Sequence, residues 1–416
     1  MISRCIRAVA VLASLGFASG ALAFTSVDTM LWPSYGAFPA YPGPDLRPWS
    51  LKAYGGIMWD DNVQRLDQNI FGADLSDVIT RLGVGGSYGA RVYGRQAVVL
   101  DGYVEYRDYD KFNNLDHYAY GTRADWLWQL GNQLDGTAGW RRTQRLADLG
   151  ETAIPRKNII TEDRFDLTGA YHFAPDWRLT AGMGWVHVDN DGRPVEPTNA
   201  WASRVGIEHV SALGNIVGLE MRYGEGDAAV DDPIIGILPE NRYQQQDIAV
   251  TLAYGLTPDL RIRGRLGYTT RTYNDLPASD FEGTTGRGAI EWRPGPKTLM
   301  VFEAYRQVDP LIDADALHVD RRGAVVGFTW APTVKLVFGT RLTHERRIYE
   351  GTPGQILLGG PLRDETLRFV SFTAGWEPAR FWQLSGAVDF GERESNIFGR
   401  NYDYTAYTLN LKYEFR

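Results

Sequence analysis

From Leu51 to the carboxyl terminus, apolar and polar residues alternate with a period of two, as expected for β-strands with one apolar face. The last segment shows this most clearly. Its apolar face carries Tyr407, Leu409, Leu411, Tyr413 and Phe415, and its polar face carries Thr408, Asn410, Lys412 and Glu414. The same alternation recurs over residues 165–173, 248–254 and 260–268. The pattern predicts an all-β chain.

Short turns divide these strands into pairs. We place them near Ala90, Gly131, Pro175, Gly214, Pro258, Gly295, Pro332 and Pro378. Longer polar segments lie between consecutive short turns. Eight turns join sixteen strands, and one strand remains at each end, near Leu51–Asp60 and Tyr402–Phe415. The chain is therefore predicted to form 18 antiparallel strands with both ends on the short-turn side, as bacterial outer-membrane barrels require. One misplaced hairpin would give 16 or 20.

Aromatic residues favour a barrel in lipid over a soluble sandwich. On the apolar face they cluster beside the short turns, where amphipathic rings would mark one membrane interface. We predict a periplasmic aromatic girdle of Tyr88, Trp128, Phe173, Trp177, Tyr254, Trp292, Trp330, Trp376, Trp382 and Phe415. The fold class is thus a single transmembrane up-and-down β-barrel with short periplasmic turns and long extracellular loops.

The opposite face is too charged for a dry core, since burying so many unpaired ions would be prohibitive. A water-filled lumen would keep them hydrated. The most distinctive group is the row Arg261, Arg263 and Arg265, with Arg271 higher on the same strand, which Asp247 and Glu291 could oppose. Opposed rows of charge select hydrated solutes, but internal ion pairing that stiffens the wall is the alternative. Further predicted pore-lining residues are Arg287, Glu303, Arg341 and Asp389.

The amino terminus predicts export from the cytoplasm. Residues 1–23 combine Arg4 and Arg7, a short apolar stretch and the cleavage signal Ala21-Leu22-Ala23, which is typical of a secretory signal peptide. The single cysteine, Cys5, lies within it. Residues 24–48 are rich in proline and predict a periplasmic arm, or else a poorly ordered terminus. Residues 49–416 would form the barrel.

Other chemistry finds little support in the sequence. The formal net charge of −8 argues against nucleic acid as a partner. None of the six histidines stands at a spacing that suggests a catalytic or metal site, so we expect neither an enzyme nor a cofactor. A segment of 25 residues before the barrel is too short for the plug domain of an active transporter.

The chain resembles the outer-membrane barrels grouped as β-barrel porin type 2. The resemblance rests on the signal peptide, the proline-rich lead and aromatic-proline turns such as Phe173-Ala174-Pro175-Asp176-Trp177 and Trp330-Ala331-Pro332-Thr333. It implies a possible part in exopolysaccharide export. Three hypotheses follow: a channel for hydrophilic solutes, an export conduit, and a structural or adhesive barrel. The expected partners are outer-membrane lipid and lipopolysaccharide, the barrel-assembly machinery, a solute or polysaccharide, and periplasmic export proteins that would contact residues 24–48.

Overall fold

The structure is a computed structural model that describes residues 49–72, 74–151, 157–191, 198–228, 241–274, 276–310, 316–351 and 361–415. The predicted signal peptide (1–23) and proline-rich arm (24–48) lie outside these residues. The structure therefore bears on the barrel and on parts of its loops.

Eighteen strands make up almost all of the described chain, as the alternation predicted. Their bounds are β1 Ser50–Asp60, β2 Asp77–Tyr93, β3 Gln96–Tyr109, β4 His117–Leu130, β5 Leu134–Leu146, β6 Ile159–Ala174, β7 Trp177–Asn190, β8 Thr198–Val210, β9 Ile216–Ala228, β10 Asn241–Thr257, β11 Leu260–Tyr273, β12 Phe281–Gly295, β13 Thr298–Pro310, β14 His318–Trp330, β15 Leu336–Glu350, β16 Arg363–Ala379, β17 Trp382–Ser395 and β18 Tyr402–Phe415.

Each strand pairs antiparallel with its neighbours in sequence, and β1 closes the sheet by pairing with both β2 and β18. In the closing ladder Leu51 is opposite Phe415 and Asp60 is opposite Ala406. A closed sheet leaves no edge strand, which is the condition for β-structure to cross a bilayer. The predicted closed barrel of 18 strands is confirmed.

Two short turns lie slightly later than the sequence indicated. β2 continues past Ala90 to Tyr93, and its turn uses Gly94, whose φ of 55° is easily adopted only by glycine. Pro378 lies inside β16, at a register shift between Trp376 and Ala379. A shift of this kind tolerates the missing backbone N–H of proline. The turn itself falls at residues 380–381.

The long loops contain only short helical turns in their described parts. They are the α-helix α1 (Gln68–Phe71) and three 3-10 turns, Asn113–Leu115, Leu149–Glu151 and Pro277–Ser279. None of the helices among the described residues is long and apolar enough to cross a membrane.

The two faces of the barrel differ as the alternation requires. Large apolar side chains such as Leu82, Val205 and Leu266 are exposed on the outward face. The predicted girdle residues share this face beside the short turns, and all are exposed except Trp128, which is half-buried. The ring of Trp128 lies across Gly136 of the adjacent strand.

On the inward face, the side chains of several tyrosines lie against a glycine of the neighbouring strand. The pairs are directly opposite in register: Tyr54 with Gly83, Tyr103 with Gly121, Tyr243 with Gly226, and Tyr305 with Gly323. A Cβ added to any of these glycines would lie 2.4–2.5 Å from the tyrosine ring. The glycines therefore make room for rings that tie adjacent strands together.

One strand pair separates towards the long-loop end. The ladder between β12 and β13 stops at Gly286 opposite Arg306. Beyond it, β12 stays paired with β11 as far as Phe281, and β13 stays paired with β14 as far as Pro310. We call this separation the β12–β13 seam. Arg271 of β11 spans it by donating a hydrogen bond of 3.0 Å to the carbonyl of Val308.

We expect Gly323→Ala to destabilise the barrel by about 1–3 kcal/mol, because the new methyl group would collide with the Tyr305 ring. Gly327→Ala is a matched control on the same strand and face, where the nearest side-chain atom would be 3.7 Å away. Urea unfolding in detergent micelles, followed by tryptophan fluorescence, measures both variants. Equal stability of the two would show that the ring and glycine do not interlock.

Candidate functional site: the charged lumen

The predicted arginine row lies on the inward face of β11. Arg261, Arg263, Arg265 and Arg271 alternate there with outward residues such as Leu266. The remaining predicted residues lie on the corresponding faces of β10, β12, β13, β15 and β17: Asp247, Glu291, Arg287, Glu303, Arg341 and Asp389. Their solvent exposure and partners divide them into two groups.

The first group lies in the half of the barrel nearer the short turns and keeps contact with solvent. Arg263 reaches Glu291 of β12 at 3.4 Å, and Arg287 of β12 donates to Glu303 of β13 at 2.6 Å. Arg263 and Arg287 remain 31% and 28% exposed. Ion pairs in this setting are hydrated, and each contributes little to stability.

Arg265 belongs to the second group, which is buried. Arg265 is 3% exposed and Glu220 is 2% exposed. The Glu220 carboxylate accepts a hydrogen bond of 3.2 Å from Arg265 and lies 3.4 Å from Arg204, and it also pairs with Arg222. Asp247 lies 3.6 Å from Arg265. One carboxylate thus links β8, β9 and β11.

A second buried centre was missed by the sequence analysis. Glu345 of β15 accepts hydrogen bonds from Arg347, from Arg321 of β14 at 2.6 Å and from the hydroxyl of Tyr305. Arg321 also donates to Asp309 of β13 at 3.0 Å. The sequence contained one indication of this centre. Glu345 and Arg347 are two positions apart, so a strand places their opposite charges on the same face.

The same spacing recurs on β16 with the same result. Arg363 donates to Glu365 at 2.7 Å, and the hydroxyl of Tyr349 donates to the other oxygen at 3.0 Å. Arg393 of β17 lies 3.6 Å from Glu365. Together with the centres at Glu220 and Glu345, this makes three clusters of buried ions on β8–β17, from mid-height to the long loops.

Arg271 donates hydrogen bonds to neutral groups. It is fully buried, donates two hydrogen bonds to the side-chain oxygen of Gln245, at 3.0 and 2.6 Å, and lies 4.5 Å from the centre of the Tyr243 ring. Its bond to Val308 holds the β12–β13 seam. Arg271 is therefore a structural cation rather than part of a hydrated row.

The last two predicted residues differ from each other in exposure. Arg341 is exposed on the inward face of β15, and Asp389 is buried on β17. Arg341 therefore joins the hydrated group and Asp389 the buried group.

Loop residues close the long-loop end on the side of β1–β5. Leu149, in the loop between β5 and β6, packs with Val63, Ile79, Tyr109 and Leu115. A Cβ on the adjacent Gly150 would meet Tyr402 of β18 at 3.0 Å. This loop therefore reaches across the mouth of the barrel.

On β11–β15 the inward face thus carries a solvent-exposed set of charges towards the short turns, called here the hydrated half. A buried set extends from mid-height to the long loops, called here the packed half. Charged residues on the hydrated wall can attract or repel dissolved ions. In the described parts of the chain, no group of three or more His, Cys, Asp or Glu residues is placed to hold a metal ion.

The comparisons with known proteins agree with this architecture. The sequence model of the family described as "Putative beta-barrel porin 2" matches residues 249–415, which confirms the resemblance over that part of the chain. No match was found among the curated proteins.

Solved outer-membrane structures share the fold. OpdK of Pseudomonas aeruginosa is 11% identical, with a TM-score of 0.50 over 88% of this chain and 99% of that one. OccK2 of the same organism is 12% identical, with a TM-score of 0.48 over 88% and 96%. OccAB3 of Acinetobacter baumannii is 10% identical, with a TM-score of 0.47 over 88% and 99%. At these identities the likeness concerns the fold alone.

The two halves of the lumen should respond differently to loss of a carboxylate. We expect Glu220→Gln to destabilise the barrel by about 3–5 kcal/mol, because three guanidinium groups lose a shared buried counter-ion. Glu303→Gln is the control and should cost less than about 1 kcal/mol, since water can solvate Arg287. Urea unfolding in micelles tests this, and equal losses would contradict the division into halves.

Proposed function

Proceeding from the family match over residues 249–415, we propose that this porin-like outer-membrane barrel is a diffusion channel for small hydrophilic solutes. An 18-strand barrel is wide enough for a water-filled lumen unless side chains or loops fill it. The proposal rests on one observation: on β11–β15 the inward charges nearer the short turns keep contact with solvent, whereas those nearer the long loops are buried.

The charges on the inner wall formed by β11–β15 determine which ions the channel is expected to prefer. The hydrated half of this wall carries four arginines and two glutamates: Arg261, Arg263, Arg287, Arg341, Glu291 and Glu303. An excess of guanidinium groups in a water-filled lumen with low-dielectric walls raises the local concentration of anions. We therefore propose that the preferred solutes are small and anionic.

The packed half implies that passage is restricted at the long-loop end. The loop carrying Leu149 packs over the β1–β5 side of that end, and many inward side chains there are buried. We propose that solutes enter or leave through a narrow path beside this loop. A narrow path would give a small conductance with frequent closures.

Single-channel recording in planar bilayers tests the proposal. The wild-type barrel should form open channels that prefer anions. Arg261→Ala with Arg263→Ala should shift the reversal potential in a salt gradient towards cation preference, because the hydrated half of the lumen loses two positive charges. Arg265 should be left unchanged, since its buried pairing with Glu220 supports the fold.

Arg178→Ala is the control. Arg178 lies on the inward face of β7 and donates a hydrogen bond of 2.7 Å to Glu208. It should shift the reversal potential less than the double variant. The absence of any current from well-folded protein would contradict the channel proposal.

Polysaccharide export is a second candidate, favoured by the inward tyrosines. Tyr54 of β1 and Tyr103 of β3 lie against Gly83 and Gly121 on the inner wall, and Tyr103 is exposed. Flat aromatic faces suit stacking on sugar rings. In this case residues 24–48 would contact periplasmic export proteins. Loss of surface polysaccharide on gene deletion, combined with no current from the isolated barrel, would favour export.

A further inference from the structure

A row of arginines crosses the outer surface of the barrel near its long-loop end. Arg306 of β13 is opposite Arg322 of β14, and Arg322 is opposite Arg346 of β15. All three lie on the outward face. Since neighbouring strands are about 4.8 Å apart, the row spans roughly 10 Å. Like charges placed directly opposite each other are destabilising unless something compensates for them.

Carboxylates two residues nearer the long loops provide part of that compensation. Asp320 pairs with Arg306 at 2.8 Å and with Arg322 at 2.7 Å, and Asp364 accepts two hydrogen bonds from Arg346. Asp320 is 4% exposed, whereas Arg322 is 48% exposed. Asp364 is 34% exposed, against 53% for Arg346, so each of these two arginines is more exposed than the carboxylate that pairs with it.

The position of the row relative to the membrane indicates what it meets. Four residues nearer the short turns, the same three strands present Phe302, Val326 and Leu342, which are also opposite one another and exposed. Trp330 of the girdle lies eight residues from Arg322, or about 26 Å along the strand. Because the strands of such barrels are tilted by about 35–45°, this corresponds to about 20 Å along the membrane normal. The long arginine side chains extend further, so their guanidinium groups reach the upper edge of the roughly 25 Å apolar band. The arginines thus lie at the level of lipid headgroups.

Arg306 lies beside the β12–β13 seam. On β12 its register partner is Gly286, and the seam begins immediately beyond it. A Cβ added to Gly286 would lie 3.2 Å from the side chain of Leu266, so the wall is closed at that position. The guanidinium group of Arg306 lies 5.5 Å from the centre of the Phe281 ring at the seam. The arginine row therefore has the seam at one end and Arg346 at the other.

We propose that Arg306, Arg322 and Arg346 bind the phosphorylated headgroup of an outer-leaflet lipid, with its acyl chains against Phe302, Val326 and Leu342. Guanidinium groups bind phosphate through paired, charge-assisted hydrogen bonds. The long loops of such barrels face the cell exterior, so the lipid belongs to the outer leaflet. This inference goes beyond the proposed channel function, because it concerns the outside of the barrel.

Native mass spectrometry with bisphosphorylated lipid A tests the proposal on the full-length barrel in detergent. Arg322→Gln with Arg346→Gln should weaken binding by about ten-fold or more, because two phosphate-binding groups are lost. This variant keeps Arg306 as the counter-ion of Asp320 and so should fold. A channel conductance equal to that of the wild type would show that it has folded.

Arg142→Gln is the matched control. Arg142 is also exposed on the outward face, but its register neighbours are Thr122 and Asp163 rather than arginines. Its replacement should leave lipid A binding unchanged. Equal binding by the wild type and the double variant would overturn the proposal, as would equal binding of lipid A from which the phosphates have been removed. Displacement by millimolar glucosamine 1-phosphate would show that soluble phosphates suffice, and would overturn the assignment to a lipid.

Discussion

The structure depends on the requirement that backbone hydrogen bonds be satisfied within the chain where it crosses lipid. The pairing of β1 with β18 meets this requirement by closing the sheet. Closure gives every strand one face towards lipid and one towards the lumen. The outward face must therefore be apolar between its two interfaces, and any charge in the middle of a strand must point inward.

The inward charges then have to be stabilised by one another or by water. In the packed half they are paired across neighbouring strands, with Glu220, Glu345 and Glu365 each shared by two or more guanidinium groups. Removal of one partner from such a cluster leaves a buried charge, so the clusters favour a single register of the strands. In the hydrated half of β11–β15 the same residue types keep contact with solvent and are available to solutes.

The sequence contained most of the fold, because the period of two and the turn residues determine strands and hairpins locally. The strand count, the first and last strands and the outward position of the aromatic residues could all be predicted. The turn expected near Ala90 was displaced because Arg91–Tyr93 continue β2, which the local pattern did not reveal.

The division of the lumen could not be predicted in the same way. Arg263 and Arg265 are two residues apart on one face of one strand, yet one pairs with Glu291 near solvent and the other with buried Glu220. The difference depends on Glu220, which lies 45 positions away. Neither alternation nor composition specifies which distant side chains fill the lumen at a given height.

Chemical modification of single cysteines tests this division most directly. The only native cysteine is Cys5, within the predicted signal peptide, so an introduced cysteine would be the one thiol of the barrel. Ser371 and Leu367 lie on the same face of β16, four residues apart, with Leu367 fully buried. A small charged methanethiosulfonate should modify Ser371→Cys at least about a hundred times faster than Leu367→Cys, because thiol reactivity requires access to the reagent. Similar rates at the two positions would contradict a packed half beside a hydrated one.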